Sequence, residues 1–230
     1  MSRVLVIGDT HCPAMLEGYP TFLEDMYTQW DCDRVVHIGD LVDFHAISFH
    51  QTQFGLESIE QEMEDAREQI AMLTRIFPEV DYMIGNHSAL PTRQAAEVGL
   101  PPSMLKSLSD LVGLPGGWTI HARHHDLVID DVIYRHGDKG RSNQQNAAFL
   151  NAQMEFTSVV QGHFHAQAGV CYGANKSARY FGLQVGCGTD PTSPYMDYSK
   201  IYSKRPILGC GIVLDGDYAA FEPMPLEQYR

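Results

Sequence analysis

The chain is 230 residues long, 44% hydrophobic and 20% charged, which is the balance of a globular protein with a sizeable core. That length suits a single domain spanning residues 1–230. No run of 18 apolar residues occurs, which argues against a membrane span, and the formal charge of −13 disfavours a broad face for duplex nucleic acid.

In chain order, Arg3–Ile7 predicts a buried strand that begins almost at once, too early for a signal-peptide core. Five cysteines (Cys12, Cys32, Cys171, Cys187, Cys210) are scattered without a C-x-x-C pair. Together these features point to a cytoplasmic protein with reduced thiols. Arg34–Ile38 and Val80–Ile84 predict two further strands. Between them Ile59, Met63, Ala66, Ile70, Leu73 and Phe77 recur at helical spacing. Ser58 and Gln61 form a capping box for that helix and Pro78 stops it. Strand, helix and strand in this order imply a parallel sheet with crossover helices.

Residues 88–118, rich in Pro and Gly, predict short helices and loops. Leu127–Ile129, Asp130-Asp131 and Val132–Tyr134 predict a hairpin, followed by a helix over 143–153 capped by Ser142 and Gln145. Thr157–Val160 predicts another strand, and the last third reads as mostly β.

Five short segments share one design, an apolar strand ending in a glycine or tight turn beside Asp, Asn or His. They hold Asp9 and His11; Asp40 and Asp43; Asn86 and His87; His136; and His163 and His165. In an open α/β sheet ligands collect at the carboxyl ends of the strands, so all five aim donors at one edge. In extended chain, residues two apart point the same way, so Asp9 with His11, and His163 with His165, can each reach one site. Carboxylate, amide oxygen and imidazole together suit Mn²⁺, Fe or Zn²⁺ better than Ca²⁺. A positioned imidazole could also protonate a departing alkoxide, which typically contributes about 10²–10⁴-fold, with a carboxylate keeping it protonated.

In their order, DTH (9–11), GDLVD (39–43), GNH (85–87), His136 and GHFH (162–165), the segments resemble the calcineurin-like metallophosphoesterase superfamily, in its small stand-alone bacterial or bacteriophage form. The resemblance implies an α/β fold, a four-layer αββα sandwich of two mixed sheets flanked by helices. It implies two divalent cations, Mn²⁺ foremost with Fe, Zn²⁺ or Ni²⁺ as alternatives. Asp9, His11, Asp40 and His165 would hold one; Asp40, Asn86, His136 and His163 the other. His87 would stand beside the substrate with Asp43 orienting it, and a metal-activated water would cut a phosphodiester or phosphomonoester of a small or nucleotide-like molecule. A nuclease or nucleic-acid end-processing phosphatase is the alternative, so nucleic acid enters only as a substrate. Phe44 and Ser88 stand where the Ser/Thr protein phosphatase branch has Arg and an acidic residue, which disfavours that branch. All seven ligand positions and His87 are kept, which disfavours a metal-free scaffold.

Arg93 reads either as a phosphate clamp or as a solvated helix charge, and its fork matches phosphate geometry. His45 and His50 follow Asp43 and read as substrate-contacting rim residues or as bland ones. His37 reads as a hydrogen-bonded core residue and Cys12 as a small packing residue.

Overall fold

The computed structural model describes residues 1–49, 55–56, 58–140, 146–199 and 205–229. Strands β1 (Arg3–Ile7), β2 (Arg34–His37), β3 (Val80–Met83) and β4 (Trp118–His121) lie side by side and parallel. The hairpin β5 (Leu127–Ile129) and β6 (Val132–Arg135) opens a second sheet. Asp130 and Asp131 at its tip have φ of 48° and 62°, the left-handed pair that a tight two-residue hairpin requires. Strand β7 (Ser158–Gln161) runs parallel to β6, and β8 (Ala168–Ala174) pairs antiparallel with β9 (Arg179–Val185). The chain then returns to the first sheet, where β10 (Gly209–Leu214) pairs antiparallel with β1 and with β11 (Tyr218–Pro223). Among the described residues the orders are β11-β10-β1-β2-β3-β4 and β5-β6-β7-β9-β8.

Both sheets are mixed, and the alternation of β1 shows why they stack. Val4 and Val6 enter a core between the sheets with Tyr134, Val160 and Leu183, whereas Leu5 and Ile7 face the helices. Outside the first sheet lie α1 (Tyr19–Gln29), α2 (Ile59–Ile76), α3 (Leu90–Glu97) and α4 (Leu108–Val112). Outside the second sheet, α5 (Ala147–Glu155) packs on β9 and β7. Helices, sheet, sheet, helix is the expected four-layer sandwich.

Helix α2 buries Met63, Ala66, Ile70 and Leu73, the spacing expected from sequence, each fully buried Leu or Ile contributing roughly 1.5–3 kcal/mol. Its capping box is half formed. Ser58 accepts from the Gln61 backbone N–H at 3.2 Å, but the Gln61 amide turns forward to Asp65 at 2.8 Å. Helix α1 and strand β4 carry no expectation from sequence. The Ser142 and Gln145 cap expected before α5 lies outside the described residues, as does His50.

Candidate metal centre

The loops after β1, β2, β3, β6 and β7 meet at one end of the sandwich. The first two are stitched together, with the His11 and Cys12 backbone N–H groups donating to the carbonyls of Asp40 and Leu41 at 2.9 and 2.8 Å. Asp43 N–H returns a bond to the Cys12 carbonyl at 3.1 Å. His11, Asp40 and His163 all sit at positive φ (47°, 43° and 69°), a conformation costing roughly 1–3 kcal/mol at a non-glycine residue unless the surroundings enforce it. Three such residues in one place mark a site whose geometry is imposed.

The side chains gather into two groups, Asp9 with His11 and His165, and Asp40 with His136 and His163, the donor atoms of each group lying within 4.8 Å of one another; behind them His11, Asp43 and His87 meet the same measure. His165 Nε2 is 3.1 Å from Asp9 Oδ2, and His136 Nε2 is 3.1 Å from Asp40 Oδ2 and 3.0 Å from Asn86 Oδ1. Asp40 Oδ2 also lies 3.9 Å from His11 Nε2, so one oxygen faces both groups. Backbone donors fix the carboxylates. Asp40 Oδ1 accepts from His87 and Ser88 N–H at 2.8 and 3.2 Å, and Asp9 Oδ2 accepts from His163 N–H at 3.0 Å. Asp9 Oδ1 and His11 Nε2 are buried and have no hydrogen-bond partner among the described residues. Such orphaned groups cost roughly 1–3 kcal/mol each, a cost that a bound cation would offset. The donor set therefore fits divalent metal.

Electrostatics agree. Burial raises the Asp40 carboxyl, but His136, His87 and His11 outweigh it and hold it well below the usual range. Burial lowers His136, yet Asp40 and Asp9 carry it up to about 9. His163 is pushed down to about 4 by burial and by neighbouring His136, so its imidazole is neutral near pH 7, whereas His136 must release a proton to take a cation.

Behind this group Asp43 is almost fully buried. Its Oδ1 lies 2.6 Å from His11 Nδ1 and 3.0 Å from His87 Nδ1. Burial lowers His87, but the Asp43 hydrogen bond and charge carry it up to about 10, so the imidazole holds its proton at neutral pH. The His87 side chain is 14% exposed and reaches a cleft of about 300 Å³ lined by Phe49, Asn86, Arg93, Arg123, Asp138 and His163, among others.

Arg93 lines the cleft, its guanidinium over the Phe49 ring at 4.8 Å. His45 does not. The left-handed turn at Phe44 (φ 53°) and the Glu62 carboxylate, which accepts from the His45 and Ala46 N–H groups at 2.6 and 2.9 Å, draw it inward. Its imidazole is buried, with Nδ1 3.7 Å from Asp43 Oδ2. The expectation of a rim residue is corrected to one packed behind Asp43. Sequence reasoning missed Phe49, Arg123 and Asp138. Arg123 follows β4, which pairs with β3, and no local sequence pattern marks it.

Glycine is required where the loops crowd the donors. A Cβ on Gly85 would overlap the Asp40 carboxylate, and one on Gly39, itself at φ 133°, would overlap the His136 ring. Gly85→Ala is expected to displace Asp40 and weaken Mn²⁺ binding by about 10–100-fold in equilibrium dialysis, although every donor remains. Unchanged affinity would show that Asp40 is not a ligand.

His37 is a hydrogen-bonded core residue. Its Nδ1 accepts from Gly39 N–H at 3.4 Å, so Nε2 carries the proton toward Thr10 Oγ1 at 3.2 Å, and that hydroxyl donates to the Leu41 carbonyl at 3.1 Å. A second ring proton would face the Gly39 N–H. Burial, opposed by Asp9 and Asp40, lowers His37 to about 4 from 6.5. Protonation therefore favours the unfolded chain, and stability present above pH 6.5 is lost as pH falls toward 4. In EDTA-treated protein, His37→Gln should reduce the loss between pH 7 and pH 4 by on the order of 3 kcal/mol, read by urea unfolding. Parallel losses in both proteins would contradict this account.

The family model for calcineurin-like phosphoesterases matches residues 2–167. Among solved structures, vacuolar protein sorting 29 from Cryptosporidium parvum aligns at TM-score 0.46 and 13% identity, over 92% of this chain and 83% of its own. The phosphoesterase Yfce from E. coli aligns at TM-score 0.46 and 12% identity, over 96% of this chain and 98% of its own. No curated protein matches in sequence. Because the family match spans most of the chain and takes in all five donor loops, the chain belongs to the calcineurin-like phosphoesterases, the metal-dependent phosphoesterases.

Proposed function

We propose that this chain hydrolyses phosphodiesters and phosphomonoesters of small or nucleotide-like molecules at a binuclear centre, with Mn²⁺ as the leading metal and Fe, Zn²⁺ or Ni²⁺ as alternatives. Asp9, His11, Asp40 and His165 hold one cation; Asp40, Asn86, His136 and His163 hold the other. What carries this reading is Asp40 Oδ2, a single oxygen set 3.1 Å from His136 Nε2 and 3.9 Å from His11 Nε2, where it can serve both groups. When bound, the cations supply Lewis-acid activation of water and neutralise phosphoryl charge.

The chain's own residues do the rest. His87 donates its Nε2 proton to the leaving oxygen, and Asp43, on the Nδ1 side, keeps the ring charged and aimed. Arg93, anchored by a 3.3 Å bond from Nη1 to the Asn86 carbonyl, presents its fork to the phosphate. The acidic balance of −13 favours small esters over long strands. No described helix is long and apolar enough to cross a membrane, and all five cysteines are free, which supports a cytoplasmic setting.

The test strips the protein of metal, reloads it with each cation, and counts metal per chain. Hydrolysis of bis-p-nitrophenyl phosphate, p-nitrophenyl phosphate and labelled single strands is then measured. Two equivalents per chain with turnover of the small esters are expected. One equivalent at saturation would defeat the binuclear reading, and turnover confined to strands would make the protein a nuclease.

A further inference from the structure

Beside the catalytic cleft, a second cavity of about 340 Å³ opens between α3, α4 and the loop after β4. Arg93 and Arg123 line both spaces, so the two adjoin across a pair of guanidinium groups. The walls of the second cavity are apolar, supplied chiefly by Ile84, Leu105, Leu108 and Leu111. Lys106 joins the two arginines on its lining, and no carboxylate among the described residues does. Asp138, on the lining of the adjoining cleft, is held by Arg123 through Nε and Nη2 at 2.9 and 2.7 Å. In a chain of net charge −13, an apolar hollow with a cationic lining runs against the general surface and is complementary to an anion that carries an apolar body.

We propose that this cavity is a subsite for the ester group of the substrate, selecting phosphodiesters that carry a ring system, either a nucleoside or an aryl group. The inference rests on the phosphoesterase reading of the neighbouring cleft and deepens it. With the phosphate beside Asn86, His87 and His163, Arg93 and Arg123 flank the bridge between phosphate and ring. The ring then enters the space bounded by Leu105, Leu108 and Leu111. A methyl ester leaves that space to water, whereas a ring buries apolar surface against four aliphatic side chains.

The experiment compares p-nitrophenyl phosphodiesters sharing one leaving group, whose second ester is methyl, 1-naphthyl or thymidin-5′-yl, with Mn²⁺ present. In parallel, calorimetry measures binding of methyl(1-naphthyl)phosphinic acid and dimethylphosphinic acid, anions with no ester bond to hydrolyse. The wild type is expected to prefer ring-bearing esters by at least about tenfold in kcat/KM and in affinity. Leu105→Trp, which fills the cavity, should erase that preference. Naphthyl and thymidinyl arms separate a general aromatic subsite from one built for nucleosides. Equal affinity of the wild type for the two phosphinates overturns the subsite without any variant, even if the methyl ester turns over. Ring-selective binding without turnover of any ester would keep the subsite and overturn the phosphoesterase reading.

Discussion

Replacing His87 by Asn is expected to slow hydrolysis by roughly two to four orders of magnitude while metal content stays unchanged. The imidazole bonds to Asp43, and the backbone N–H donates to Asp40 Oδ1 at 2.8 Å, a group that Asn keeps. What disappears is a proton held up to about 10 by Asp43 at the edge of the cleft. The loss should therefore scale with leaving-group basicity, large for alkyl esters and small for p-nitrophenyl esters, whose phenolate departs without help. Measuring both esters alongside metal content decides the matter. Equal losses for the two leaving groups would remove His87 from the acid role, and loss of metal would make it part of the cation cage.

Asp40→Asn should have the other large effect, cutting bound metal to at most one equivalent and turnover by about 10³-fold or more, the several kcal/mol a bridging charge supplies. Asn still offers an oxygen to the His87 and Ser88 N–H groups, so the loop retains its anchor. The missing charge has a second signature that needs no metal. His136 stands at about 9 because Asp40 and Asp9 overcome its burial. Without Asp40 its titration in EDTA-treated protein should move down, which can be followed by NMR. A variant that binds two equivalents, or an unmoved His136, would show that Asp40 Oδ2 does not join the two groups.

The site was legible because each donor follows a short apolar strand, and strand ends in parallel sheets place their loops together. Val6-Ile7 before Asp9 and Val159-Val160 before His163 carry that signal within a few residues. The hairpin at Asp130-Asp131 was legible for a similarly local reason, its left-handed tip. Helix α1 was not, although Tyr19, Phe22, Leu23 and Met26 are buried at helical spacing, because Gly18 and Pro20 punctuate its start like a turn. Strand β4 has only four residues, two of them polar, and owes its existence to pairing with β3. Arg123 reaches the cleft through that pairing, so no local pattern announced it. His45 was misplaced because its direction is set by Glu62, a helix residue 17 positions away.

The donors are divided between the layers: Asp9, His11, Asp40 and Asn86 follow strands of the first sheet, whereas His136, His163 and His165 follow strands of the second. One side brings both carboxylates and the other most of the imidazoles. On the proposed ligation, cations fasten the two halves like rivets, so loading should protect the seam between them from hydrogen exchange as strongly as it protects the loops. Newly made chains would then capture metal only after the two sheets have docked, making cation uptake a late event in maturation.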